Sequence, residues 1–132
     1  MPTNVKNTLA ALSALAFLAG CSGEPQDDRP GQPVKTRQTA FKEILRSFEP
    51  MGVMLREKRY NADKFLALAN EVASKRDAPW GHFGPDTNYP PTKATPAVWE
   101  QPERFERDRA TFFRAVDALL VAAQTKDRKQ VE

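Results

Sequence analysis

The sequence is poorest in the residues that carry most site chemistry: among 132 residues there is one cysteine, Cys21, and one histidine, His82. A single cysteine rules out an internal disulfide framework, a multi-cysteine zinc site and a C-x-x-C redox pair. A single histidine rules out the H-E-x-x-H zinc signature and any triad of imidazole metal ligands. Charge of one sign is lacking too, with 20 Lys+Arg against 17 Asp+Glu and a net charge of +3. So small an excess gives no nucleic-acid footprint, and the runs Arg56–Arg59 and Glu103–Arg109 mix signs as solvated faces do. No internal repeat and no strand pattern is visible. No activated serine or cysteine and no carboxylate pair of determined geometry stands out, so the chain is not expected to be an enzyme.

What is present begins with an amino-terminal signal. Lys6 gives a thin positive start, and Leu9–Gly20 is an apolar run of 12 residues. A spanning helix needs about 20 apolar residues, so the run reads as a signal peptide over 1–20. It ends in Leu18-Ala19-Gly20-Cys21, which resembles the lipobox of bacterial lipoproteins. That resemblance implies cleavage before Cys21, lipid on its sulfur, and a stable anchor made by several acyl chains. It places the protein on the periplasmic side of a membrane, and Ser22 resembles the outer-membrane sorting pattern. Residues 21–33 read as a flexible tether, because Ser22–Pro33 holds three prolines, two glycines and no large apolar side chain.

From Val34 the pattern turns helical, and residues 34–132 read as one domain. Phe41, Ile44, Leu45, Phe48, Met51 and Leu55 recur at spacings of three and four, which predicts one helix over about 35–58, kinked at Pro50. Asn61 is the expected N-cap of a second helix, with Phe65, Leu66, Ala69, Val72 and Ala73 on its buried side and an end near Arg76. Residues 77–96 form a long Pro/Gly-rich connection, and Trp80, Phe83 and Tyr89 should pack it onto the helices. A third helix runs from about Pro102 to about Lys126, with Phe105, Phe112, Val116, Leu119 and Ala123 as its stripe. Asp127 opens one further turn. The fold class is all-α, an antiparallel up-down helix bundle. Trp80, Trp99 and Phe105 read as core anchors, and His82, in a loop, as a packing or surface histidine and not a metal ligand.

Three segments in order carry a family resemblance: Lys35-Thr36-Arg37-Gln38-Thr39-Ala40-Phe41, Trp80-Gly81-His82-Phe83-Gly84-Pro85-Asp86-Thr87, and Thr92-Lys93-Ala94-Thr95-Pro96-Ala97-Val98-Trp99 followed by Phe105. In spacing they resemble cytochrome c prime, the four-helix-bundle c-type cytochromes of bacterial periplasms, from about Val34 to Glu132. The resemblance implies haem c, electron transfer or nitric oxide binding, an unidentified redox partner, and often a homodimer through the first two helices. Val53 and Met54 would suit such a dimer as exposed apolar residues. Carried over, Arg37 and Gln38 match a pair that contacts a haem propionate, where a guanidinium makes charge-assisted bonds to a carboxylate. Phe41 matches the bulky residue covering the sixth coordination position, and Thr92 and Lys93 a loop position at the haem edge. On residue type alone these five are ordinary helix-face, core and loop residues.

The family attaches its haem on a fourth helix through C-x-x-C-H, whose histidine ligates the iron. That motif does not occur in this sequence. The expectation is therefore a bundle with its fourth helix truncated, no metal ligand in the chain, and no covalent haem. The other reading is a haem-free lipoprotein bundle with a structural or interaction role. In either case Phe41, Leu45, Phe112, Val116 and Leu119 should line an unfilled groove, leaving a helical but loosely packed chain.

Overall fold

The computed structural model describes Gly23 and residues 25–132; the expected signal peptide and Cys21 lie outside them. Among the described residues every regular element is helical: α1 (Pro33–Arg56), α2 (Ala62–Lys75), α3 (Ala97–Glu100), α4 (Pro102–Gln124) and α5 (Arg128–Val131). A single 3-10 turn, Trp80–His82, lies in the connection between α2 and α3.

Each boundary has a local cause. Pro33 and Pro102 occupy first-turn positions, where a missing N–H costs nothing and the fixed φ suits a helix. Asn61 accepts the Lys64 N–H at 2.9 Å, and Asp127 caps α5 by accepting the Lys129 N–H at 3.0 Å. α1 ends in a Schellman motif. Arg59 N–H donates to the Met54 carbonyl at 2.8 Å and Lys58 N–H to that of Leu55 at 3.1 Å, with Lys58 at φ 56° where glycine is usual. α1 is continuous through Pro50.

α2 packs between α1 and α4. Ile44, Met51 and Met54 of α1, Phe65, Ala69 and Val72 of α2, and Val116 and Ala123 of α4 form the buried core. Each large side chain among them contributes about 1.5–3 kcal/mol by leaving water. The Arg76–Asp117 ion pair ties α2 to α4, and Lys126 holds Asp63 at 2.7 Å across the far end. Both are exposed enough to be worth little.

Two expectations need correction. Met54 is buried in the core, leaving Val53 exposed. The stretch expected as a tether is folded from Asp27 onward: Asp27 is only 2% exposed, and its carboxylate accepts the Lys35 N–H at 3.1 Å and the Tyr89 O–H at 2.8 Å. Composition argues against a packed element when no apolar side chain can be buried. Here one buried carboxylate orders the segment by capping α1 from outside the helix.

Candidate functional site

Because α2 holds α1 and α4 apart, a groove remains between the two. It has a volume of about 640 Å³. Phe41, Ile44, Leu45 and Phe48 line it from α1, Val72 forms its floor, and Phe112, Ala115, Val116 and Leu119 line it from α4. These are the i, i+3, i+4, i+7 positions of two facing helices, so both walls present hydrocarbon without a break. All five residues expected in an unfilled groove are there. Leu45 is 50% exposed and Phe48 49%, an apolar opening of the kind that marks a ligand or partner site.

Arg37 stands one turn before Phe41 on α1, outside the groove lining and under the loop. It is 2% exposed. Nη1 donates to the His82 carbonyl at 2.9 Å and to Thr87 Oγ1 at 3.1 Å; Nη2 donates to the Thr87 carbonyl at 3.0 Å and to Thr92 Oγ1 at 2.6 Å. The guanidinium lies 4.7 Å from the Phe83 ring centroid and 5.4 Å from that of Trp99. Among the described residues no carboxylate reaches it, so the charge is solvated by dipoles and aromatic faces but not neutralised. Burial pulls its pKa below the ordinary arginine value, partly offset by Tyr89 and Asp27, and an arginine remains charged through such a change.

The other expected site residues gather at the same end. Gln38 Nε2 donates to the Pro91 carbonyl at 3.1 Å. Thr92 Oγ1 accepts from Arg37 and from the Ala94 N–H at 3.1 Å. Lys93 is exposed on the loop. Phe41 sets its ring edge-on to Trp80, centroids 5.5 Å apart. Trp80 in turn touches Phe105 and Phe112 at 5.8 and 5.7 Å and donates Nε1–H to the Arg76 carbonyl at 2.6 Å. Trp99 Nε1–H donates to the Gly84 carbonyl at 3.0 Å. The loop is thus stacked on the bundle by its aromatics. The His82 backbone carbonyl serves Arg37. Among the described residues no group of His, Cys, Asp and Glu could hold a metal ion, and no helix is long and apolar enough to cross a membrane.

Sequence reasoning missed Asp27, Tyr89 as its partner, and Thr87. Asp27 also accepts the Arg29 N–H at 3.3 Å, and Arg29 lies over the Tyr89 ring at 3.6 Å while donating to the Asp86 carbonyl at 3.2 Å. Burial pushes the Asp27 carboxyl up, but the hydrogen bonds it accepts from Lys35, Tyr89, Arg29 and Val34 hold it below its ordinary 3.8. Burial and the neighbouring Asp27 push Tyr89 above its ordinary 10.0, against the pull of Arg29 and Arg37.

The family model described as Cytochrome C' matches residues 32–132. The chain is 31% identical over 109 residues to the cytochrome c' of Rubrivivax gelatinosus, covering 81% of this chain and 84% of that protein. The crystal structure of that cytochrome superposes with a TM-score of 0.73, covering 80% of this chain and 84% of the other. Cytochrome c prime from Shewanella frigidimarina gives 0.73 at 28% identity, over 79% and 82% of the two chains. A ferrous variant of the Alcaligenes xylosoxidans protein with bound NO gives 0.72 at 25% identity, over 79% and 81%.

Proposed function

The chain belongs to the cytochrome c prime family, and from that premise we propose that the groove between α1 and α4 covers the distal face of haem c in a protein of electron transfer or small-gas binding. The observation that carries this is the all-hydrocarbon groove, with a buried cation, Arg37, one helical turn beyond its Phe41 wall. A macrocycle with a flat apolar body and acidic side arms matches both halves of that chemistry. Arg37 would hold a carboxylate of such a group, with Gln38 beside it, and Phe41 would cover one face. Thr92 and Lys93 would frame its edge. Haem bound there supplies a one-electron couple and a position for a diatomic gas. The chain's own part is to exclude water with Phe41, Phe48 and Phe112, and to neutralise acid with Arg37. The side chains lining the groove are hydrocarbon throughout, so their part is to bind and shield.

C-x-x-C-H does not occur in this sequence, so no thioether bond and no proximal ligand is assigned to these residues. That same observation favours a second reading, a haem-free bundle with a structural role. The protein purified from its own cells separates the two. One haem per chain by pyridine haemochrome assay supports the first reading, and haem-free protein the second. The recombinant chain should release any haem to acid acetone, whereas haem staining retained on a denaturing gel would contradict the missing attachment. The lipobox-like Leu18–Cys21 supports a lipid anchor facing the periplasm. Cys21→Ser should move the protein out of the membrane fraction or leave the precursor uncleaved; unchanged processing and partitioning would refute the anchor.

A further inference from the structure

We propose that residues 27–32 form a latch that makes the loop end of the bundle the membrane-facing end, with Lys35 and Lys42 turned toward lipid phosphates. The inference rests on the lipidation of Cys21 proposed above and goes beyond it, because an anchor on a flexible tether would impose no orientation. The latch is built from several independent contacts. The Asp27 carboxylate is held by Tyr89 on the loop and by the first turn of α1. Gln32 Nε2 donates back to the Asp27 carbonyl at 2.8 Å. Arg29 stacks on Tyr89 and bonds the Asp86 carbonyl.

Length turns the latch into a leash. Cys21 precedes Asp27 by six residues, which reach about 20 Å when fully extended. α1 has 24 residues, so its far end lies about 36 Å from its start. The loop end therefore stays within reach of the bilayer surface, and the turn at 57–61 is held there by nothing. A cleft of about 200 Å³ opens between the strap and α1, with Lys35, Gln38, Thr39 and Lys42 on its helix wall and Pro25 and Gln26 opposite. Positions 35, 38, 39 and 42 share one helix face, so both ammonium groups leave the bundle on the strap side. Asp28 and Asp86 are exposed at this end as well, so the attraction is local to the cleft face. Long-range field contributes little.

Paramagnetic relaxation reads the orientation residue by residue. The 15N-labelled chain from Cys21 would be coupled through its thiol to a maleimide lipid in nanodiscs of anionic phospholipid carrying a gadolinium-chelating lipid. This coupling tests the leash whether or not cells lipidate Cys21, and the Cys21→Ser fractionation tests lipidation separately. The expected result is strong broadening of amides in 25–36 and 85–93 with little at 57–61 and 125–128. Asp27→Ala combined with Tyr89→Phe should even out the two ends while leaving helical circular dichroism unchanged. Lys35→Glu with Lys42→Glu should weaken broadening at 35–42 while Asp27 stays protected. Equal broadening at both ends of the latched protein, or stronger broadening at 57–61, would overturn the proposal.

Discussion

Arg37 carries a full charge in a place where water barely reaches, and the fold spends two carbonyls and two threonine hydroxyls on it. Removing the guanidinium takes its donor from each of those four acceptors at the junction of α1 and the loop, and only Thr92 Oγ1 keeps another, the Ala94 N–H. Arg37→Ala is expected to lower stability by about 2–4 kcal/mol, since hydrogen bonds to charged groups are worth about 1.5–3 kcal/mol each and part of the loop can re-solvate. Arg37→Lys should recover only part of this, because one ammonium cannot reproduce a planar fork. Urea denaturation of the three proteins checks the order. The Asp27–Tyr89 pair gives a pH signature with opposite signs at its two ends. Asp27 has a folded pKa below its ordinary 3.8, so its contribution is present above that value and lost as pH falls through the folded pKa. Tyr89 has a folded pKa above its ordinary 10.0, so its contribution is complete below 10 and lost as pH rises through the folded value. Protection of the 77–96 loop from proteolysis should therefore hold between about pH 4 and 10, and Asp27→Asn should remove the acid limb. Loss of protection near neutrality in the wild-type chain would contradict this assignment.

At the scale of elements, boundaries were legible wherever a local rule sets them. Asn61 before Phe65 and Leu66, Pro102 before Phe105, and Asp127 before Arg128 each announce a helix start within a few residues, and the structure puts starts there. The period of Phe41, Ile44, Leu45 and Phe48 also told which face of α1 would be apolar. The folding of 27–32 was not legible, because its cause is a contact 62 residues away in sequence, and neither periodicity nor composition records such a pair. The short α3 and the Trp80–His82 turn escaped for a related reason: Trp80 holds the turn by stacking on Phe105, Phe112 and Phe113 of α4, and Trp99 holds α3 by its contact with Phe83 and its bond to the Gly84 carbonyl. Asn61→Ala tests the local rule, since losing the cap on Lys64 N–H should cost about 1 kcal/mol, seen as a lower thermal midpoint. An unchanged midpoint would mean that packing of Phe65 alone holds the start of α2.

On the scale of the whole molecule, the three long helices of the described residues lie in one layer and cannot bury all of their apolar faces. α2 is covered on both sides, while α1 and α4 each keep one apolar side turned to the groove. Several large contacts are missing there, each worth about 1.5–3 kcal/mol when made, against a total stability of about 5–15 kcal/mol for an ordinary domain. A hydrophobic dye should bind the chain and thermal unfolding should be broad; a sharp transition without dye binding would show that the groove closes. The candidate site was legible to the extent that family spacing picked out Arg37, Gln38 and Thr92, which meet beside the loop, and Phe41, one turn on in the groove wall. Its limits lie in the loop, where Arg37 is bonded by Thr87 and the His82 carbonyl in ways no motif announces.

The most direct test of the haem reading is a haemin titration of the purified chain followed in the Soret region, beside the same titration of Ala115→Trp. Ala115 is an exposed wall residue of the groove, so an indole there fills the space without disturbing the core. The account predicts a saturable Soret shift at one haem per chain for the wild-type protein, displacement of bound dye, and at least a tenfold loss of affinity in Ala115→Trp, which corresponds to about 1.4 kcal/mol. No saturable shift in the wild-type chain, or equal binding by Ala115→Trp, would contradict it.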